Sequence, residues 1–288
     1  MSNGLLNNLE EYWDVDEATG NLLGKIIPQT LSGKADVPTR VTGKLNNGAD
    51  FLSDNVICEG YHANLDFRQN PMVDFTVSFW FKLNSVKTTG ATWLVEAYDD
   101  AGVSEGGWAI AFRGQNSPDD CAIFYRVDAV TTEVLSITSG NLSAGVWYHL
   151  VAGYDATNSK LFAFFNGVRE EVAVTGQIMT SGNVAFTVGG WGENGAEPAN
   201  AVIDEIGAWS TVLTQAQVNS LYNGGSALSY SSFDSGTGAS SEEDAPNHDN
   251  ANDGPLFSRA MEVTNHLQAN PIDTGDAAIT VMYRQVPL

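Results

Sequence analysis

Hydrophobic and polar residues alternate with a period of two along most of the chain. In FTVSFWFKL, Phe75, Val77, Phe79, Phe81 and Leu83 fall on one face, and Thr76, Ser78, Trp80 and Lys82 fall on the other. Successive side chains of a strand point to opposite faces, so the segment predicts a strand with one strongly apolar face. WYHLVAGYD (Trp147–Asp155) predicts a second strand and KLFAFFNGV (Lys160–Val168) a third, with DATNS supplying the turn between them. Asn166-Gly167 tolerates positive φ and predicts a hairpin whose return strand is VREEVAV. NVAFTVGG (Asn183–Gly190) predicts another strand ending at glycines.

The stretch AVIDEIGAWSTVLTQAQVNSLYNGG (Ala201–Gly225) reads as a strand, a turn and a short helix. Thr214 and Gln217 form a capping-box pattern, Val218, Leu221 and Tyr222 follow at helical spacing, and Asn223-Gly224 supplies the stop. This helix is expected to pack on the edge of a sandwich. Short strands, frequent turn signals and 29 glycines predict an all-β sandwich or jelly roll.

The pattern changes after Gly225. Ser235–Pro255 contains five acidic residues and no Val, Ile, Leu, aromatic, Lys or Arg. Such a segment cannot bury enough apolar surface to order itself. Beyond it, AAITVMYRQV (Ala277–Val286) alternates again, with Ile279, Val281 and Tyr283 on one face. The expected organisation is a sandwich over residues 1–225, then a polar linker and arm with a terminal strand over residues 226–288.

Charge narrows the partners. The chain has 35 Asp and Glu against 13 Lys and Arg, a formal net charge of -22. Such a surface repels phosphate backbones and anionic lipid, which argues against nucleic-acid binding. No apolar run reaches the ~18 residues of a membrane span, and the N-terminal residues do not read as a secretory signal. The two cysteines, Cys58 and Cys121, have no metal-type spacing and read as buried thiols.

The assembled motifs resemble a family. NLEEYWDVDEATGN, FTVSFWFKL, WYHLVAGYDATNSKLFAFFNGV, FTVGGW and the Ala201–Gly225 stretch are similar, in order and spacing, to LamG-like (laminin G type 3) jelly rolls, over roughly Leu5–Gly225. Such domains occur in bacteriophage structural proteins and extracellular lectins. The resemblance implies an all-β, concanavalin A-like jelly-roll sandwich of two antiparallel sheets, with a short C-terminal helix followed here by an extended arm. Relatives of this fold bind glycans, proteins or calcium, and some are glucanases.

The resemblance also raises three site expectations. An Asp at the place of Asp204 ligates a structural calcium in related folds, with oxygens from the opening strand near Asp14 and the turn near Gly48; a hard cation suits such oxygen ligands. With calcium at Asp204, Glu205 would face the other side, toward solvent; the alternative is a partly exposed carboxylate at the sheet edge that caps a neighbouring turn. Trp80, Trp108 and Trp191, with Glu193, are candidates for glycan stacking, against the alternative of core packing. Catalysis is not expected. Glycoside hydrolysis needs two carboxyl groups facing one cleft, whereas Asp204-Glu205 and Glu170-Glu171 are adjacent and Asp14, Asp16 and Glu17 lie at an edge turn. His62, His149, His248 and His266 fall in unrelated contexts, and His149 reads as a core or edge histidine.

The function expected from the sequence is therefore a non-catalytic structural or adhesive protein of a bacteriophage virion, in capsid decoration or a tail fibre. Its partners would be copies of itself, capsid or tail proteins, and surface glycans. The arm residues Ile279, Val281 and Tyr283 would serve assembly. The alternative is a free lectin, with calcium as the one cofactor suggested.

Overall fold

The computed structural model describes residues 2–27, 29–34, 36–52, 57–69, 71–86, 91–99, 106–112, 121–126, 132–137, 140, 142–178, 184–190 and 199–235. The chain falls into two units, Met1–Gly238 and Ala239–Leu288, and every described residue belongs to the first.

Among the described residues, strands form two eight-stranded antiparallel sheets. The first runs in space from Val168–Ala173 through Lys160–Phe165, Trp147–Asp155, Phe75–Leu83 and Ala201–Trp209 to Asn47–Asp50 and Thr39–Thr42. Leu9–Trp13 also pairs with Ala201–Trp209. The second runs from Thr132–Ile137 through Cys121–Arg126, Gly106–Phe112, Thr92–Asp99, Phe186–Val188, Cys58–Gly60 and Thr30–Gly33 to Leu22–Leu23. The hairpin expected at Asn166-Gly167 is present, with Asn166 at φ 48° and Gly167 at φ 83°. One α-helix is described, Gln215–Tyr222, and Thr214 and Gln217 close its capping box as the sequence predicts.

Two cores hold the unit together. Phe75, Val77, Phe79, Phe81 and Leu83 face the second sheet and form the main core with Trp13, Phe51, Trp108, Phe112 and Phe186. The opposite face of the first sheet is also covered. Val151, Phe162, Phe164 and Trp209 pack there against Leu213, Val218 and Leu221, joined by Leu5, Tyr12 and Phe233. The helix therefore lies on a sheet face, not on the sandwich edge as its sequence position suggested. Leu228 and Tyr230 pack against the same second core, so the chain beyond Gly225 still contributes to the domain. Asp234 ends that contribution by accepting hydrogen bonds from the backbone N–H groups of Asn3 and Gly4, both at 2.9 Å.

Among the described residues no helix is long and apolar enough to cross a membrane.

Candidate functional site

The central acidic pair lies in the strand Ala201–Trp209, every residue of which is buried. Here the strand changes partner. Val202 and Ile203 pair with Asp50 and Ala49, whereas Ile206 and Gly207 pair with Trp13 and Tyr12. On its other side, Asp204 opposes Trp80 and Gly207 opposes Ser78. Three steps on one strand thus match two on its neighbour, which is a β-bulge. Glu205 takes φ 51° at the bulge.

The bulge changes what the two acids do. Asp204 Oδ2 accepts from the backbone N–H groups of Lys44 at 2.7 Å and Leu45 at 3.1 Å, and Oδ1 accepts from Glu205 N–H at 2.9 Å. It caps the Gly43–Asn47 turn, which Asp16 also holds by accepting from Asn47 N–H at 3.1 Å and the Asn46 side-chain amide at 2.8 Å. Glu205 does not reach solvent. It is 4% exposed and accepts a hydrogen bond from the Tyr12 hydroxyl. Burial pushes Asp204 up to about 9, helped by the Glu205 charge, and burial pushes Glu205 up to about 8. Burial and the Glu205 carboxylate together raise the Tyr12 phenol.

A third buried acid, Glu11, accepts from the N–H groups of Tyr12, Ile26 and Gln29 at 2.9, 2.7 and 3.4 Å. Gly24 permits this: a Cβ there would stand 2.3 Å from the Glu11 carboxyl carbon. The periodicity of the opening strand gave no sign of this acid, although Glu11 flanks Tyr12 in an otherwise buried run.

These arrangements do not fit a calcium ion. Asp204 commits three of its roughly four acceptor sites to backbone N–H donors, and those donors surround the carboxylate with N–H groups where a calcium ion needs oxygen ligands. Asp14 is paired with Lys25 at 2.8 Å. At Gly48 an added Cβ would meet Val202 Cγ1 at 2.9 Å and Asp204 Cβ at 3.6 Å, so Gly48 is where the strand passes close to Asp204. Among the described residues no three His, Cys, Asp or Glu side chains are grouped to hold a metal. The edge acids are likewise engaged: Glu17 accepts from Leu23 N–H at 2.8 Å and from Arg40 at 3.3 Å.

Two of the three tryptophans expected at a glycan site, Trp80 and Trp108, are packed inside the fold. Trp80 is 2% exposed. It stacks on His149 at 4.8 Å and on Tyr222 of the helix at 5.8 Å, and Lys44 Nζ lies 4.4 Å from its ring centroid. The helix has closed the face on which Trp80 stands. Trp108 is fully buried, 5.2 Å from Phe75 and 6.0 Å from Phe186 by ring centroids, and its Nε1 donates to Asp66 O at 3.3 Å. Trp191 and Glu193 lie outside the described residues, as do Ile279, Val281 and Tyr283. Of the two readings, core or edge, His149 is buried: its Nε2 meets the Ser78 hydroxyl at 2.9 Å, and burial, helped by the Lys44 charge, pushes it down to about 3.

A surface cleft of about 440 Å³ lies between Ala18–Gly20 and Asp36–Arg40. Arg40 ties its walls together. Nη1 donates to Pro38 O at 3.2 Å, and Nη2 donates to Gly20 O at 3.1 Å and Asn21 O at 3.2 Å. Cys58, at the start of the strand Cys58–Gly60, is buried and its thiol is pushed up to about 12 by burial.

Comparison with known proteins follows this architecture. The Laminin_G_3 family model, described as the concanavalin A-like lectin/glucanases superfamily, matches residues 59–219, more than half of the chain. No curated protein matches it by sequence. Among solved structures, the binding domain of Paraclostridial Mosquitocidal Protein 1 is similar at a TM-score of 0.56 and 15% identity, over 75% of this chain and 52% of that one. Domain 4 of AbnA, an extracellular arabinanase from Geobacillus stearothermophilus solved with arabinotriose, is similar at 0.54 and 18%, over 77% of this chain and 98% of that domain. The binding domain of botulinum neurotoxin serotype G gives 0.55 and 12%, over 75% and 50%. The chain thus spans about half the length of the two toxin binding domains and nearly all of the arabinanase domain. At these identities the likeness is one of fold.

Proposed function

The chain belongs to the Laminin_G_3 family of the concanavalin A-like lectin/glucanases superfamily, and on that premise we propose that it is a non-catalytic carbohydrate-binding domain. The observation that carries this reading is the use of the buried acids. Glu11, Asp204 and Glu205 bind backbone N–H groups or a phenol inside the fold. A hydrolase needs a carboxyl pair flanking a sugar bond in an open cleft, and these groups serve the closure of the sandwich instead. The similarity to domain 4 of the arabinanase, which was solved with arabinotriose, supports carbohydrate as the ligand class. The test is a glycan array with the full chain, together with a reducing-sugar assay on the glycans retained. Retention without turnover is the expected result. Retention of no glycan, or turnover lost on changing one acid, overturns the reading.

The finer reading is that this domain is the exposed, adhesive part of a bacteriophage virion component, with the C-terminal arm engaging copies of itself or capsid or tail proteins. The arm's composition supports it: Ser235–Pro255 is polar and acidic, and Ala277–Val286 alternates like an added strand. A free lectin has no use for such an arm.

A further inference from the structure

The aromatic positions first suggested for sugar stacking are either core residues or outside the described residues, so a ligand site must be sought elsewhere on the domain. The cleft between Ala18–Gly20 and Asp36–Arg40 has the features of one. Its volume of about 440 Å³ is within the range of small-ligand sites and admits one or two sugar rings. Its walls are set by structure rather than left to side-chain chance. The Arg40 side chain is 4% exposed and its charge is met by Glu17 at 3.3 Å, so it acts as a strut and not as a lure for anions. Its Nε is buried and has no hydrogen-bond partner among the described residues. The second wall depends on Gly33, where a Cβ would stand 2.2 Å from Asp36 O and 2.8 Å from Val37 Cγ1.

The exposed lip then offers a specific chemistry. Thr19, Asp36, Val37 and Thr39 are all exposed. They present two hydroxyls, one carboxylate and the apolar side chain of Val37, with the buried Pro38 behind them in the wall. The Asp36 carboxylate accepts Val37 N–H at 2.8 Å through Oδ1, and a carboxylate oxygen has room for further donors.

We propose that this cleft binds a neutral oligosaccharide, with Asp36 and the two threonines hydrogen-bonding sugar hydroxyls and the exposed Val37 side chain receiving a C–H face. The inference rests on the carbohydrate-binding reading and adds to it a place and a substrate class. Neutral sugars are favoured over acidic ones because Asp36 stands at the lip of a chain whose net charge is -22, and an anionic ligand would meet uncompensated like charge.

The test uses the full chain on an array carrying neutral and sialylated oligosaccharides, followed by calorimetric titration of the best neutral binder into wild type, Asp36→Ala and Thr39→Trp. Thr39 is exposed on an edge strand, where a tryptophan is tolerated and narrows the cleft. Neutral glycans should be retained in preference to sialylated ones, and each variant should weaken binding about tenfold or more with an unchanged unfolding midpoint. Unweakened binding in both variants, or preference for sialylated glycans, overturns the cleft assignment while the carbohydrate reading stands. Retention of no glycan by the wild type overturns both.

Discussion

The hydroxyl of Tyr12 donates a hydrogen bond to the carboxylate of Glu205 beneath the second core. The pair bridges the opening strand to the bulge of the closing strand, at the point where the closing strand changes partner. The Tyr12 ring continues the link outward, stacking on Tyr230 at 5.3 Å and meeting Phe233 edge-on at 4.9 Å. Tyr12→Phe keeps the ring and leaves Glu205 buried without its donor. The expected loss is about 1–3 kcal/mol, the cost of an unsatisfied buried polar group, read as a lower urea midpoint at unchanged slope. An unchanged midpoint would show that Glu205 finds another donor.

The buried acids predict a pH dependence with a definite sign. Asp204 is held up to about 9 and Glu205 up to about 8, chiefly by burial. In the unfolded chain both release their protons near pH ~4. Between these limits the folded chain binds more protons than the unfolded one, so stability falls as pH rises. Their contribution is whole below pH ~4 and is lost as pH rises through the folded values, at no more than about 1.4 kcal/mol per pH unit for each proton. Thermal midpoints should therefore decline from pH ~5 to ~9. Glu205→Gln, which retains an acceptor for Tyr12, should flatten that decline. A variant whose midpoint follows wild type across the range would place the pH dependence in other groups.

Asp204 serves as the cap of the Gly43–Asn47 turn, so its removal should be costly and calcium should be irrelevant to it. Asp204→Ala strands the N–H groups of Lys44 and Leu45 and should destabilise by about 2–4 kcal/mol. Adding calcium or chelator should leave the wild-type midpoint where it is. A calcium-dependent rise that Asp204→Asn abolishes would mean that the turn opens to admit an ion.

What was legible in the sequence follows from how each signal arises. The strand Phe75–Leu83, the hairpin at Asn166-Gly167 and the capping box at Thr214 and Gln217 depend on local pattern, and all three are present. The exposure of Trp80 depends on what covers the sheet from outside, and its own strand, with Ser78 and Lys82 alongside, reads as an open polar face. A signal did exist in the neighbouring strands. His149 opposes Trp80, Val151 opposes Ser78, and Phe164 and Phe162 oppose Val151 and Gly153, so the same face is apolar one strand further on. A sheet buried on both faces loses its alternation. The exposure of Glu205 is misread because strict alternation assigns neighbouring residues to opposite faces, and a one-residue bulge, whose positive φ falls here on Glu205 and not on a glycine that would signal it, breaks that rule locally. The cleft is built by Arg40 reaching carbonyls some twenty residues away, and no local pattern records such a reach.

Trp80 tests the packing of the helix on the first sheet. Its ring clusters with those of His149 and Tyr222, which also lie 6.0 Å from each other, and Lys44 stands over it; Lys44 also donates to Gly225 O beyond the helix. Trp80→Ala should destabilise by about 3–5 kcal/mol, the usual cost of emptying a large aromatic site. Trp80→Phe should recover part of it. Oligosaccharide binding at 25 °C should be unaffected by Trp80→Phe, since no part of this stack reaches the Ala18–Gly20 cleft. Loss of binding with full retention of fold would return Trp80 to the list of ligand contacts.

The last prediction concerns where the domain stops. Leu228, Tyr230 and Phe233 pack on the second core, and Asp234 accepts hydrogen bonds from Asn3 and Gly4. The boundary suggested by composition, Gly225, therefore falls within the folded unit, and cutting there would strip Tyr12 of both aromatic neighbours. Deleting residues 226–288 should lower the thermal midpoint by several degrees, as expected for losing the apolar burial of two or three large side chains. Deleting only residues 236–288 should leave the midpoint and oligosaccharide binding unchanged. The same shorter deletion separates the two roles proposed for the chain. If the arm engages other subunits or capsid or tail proteins, the truncated protein keeps its ligand and fails to enter the particle. Normal incorporation of the truncated protein would remove the arm from assembly and leave a free carbohydrate-binding domain as the better account.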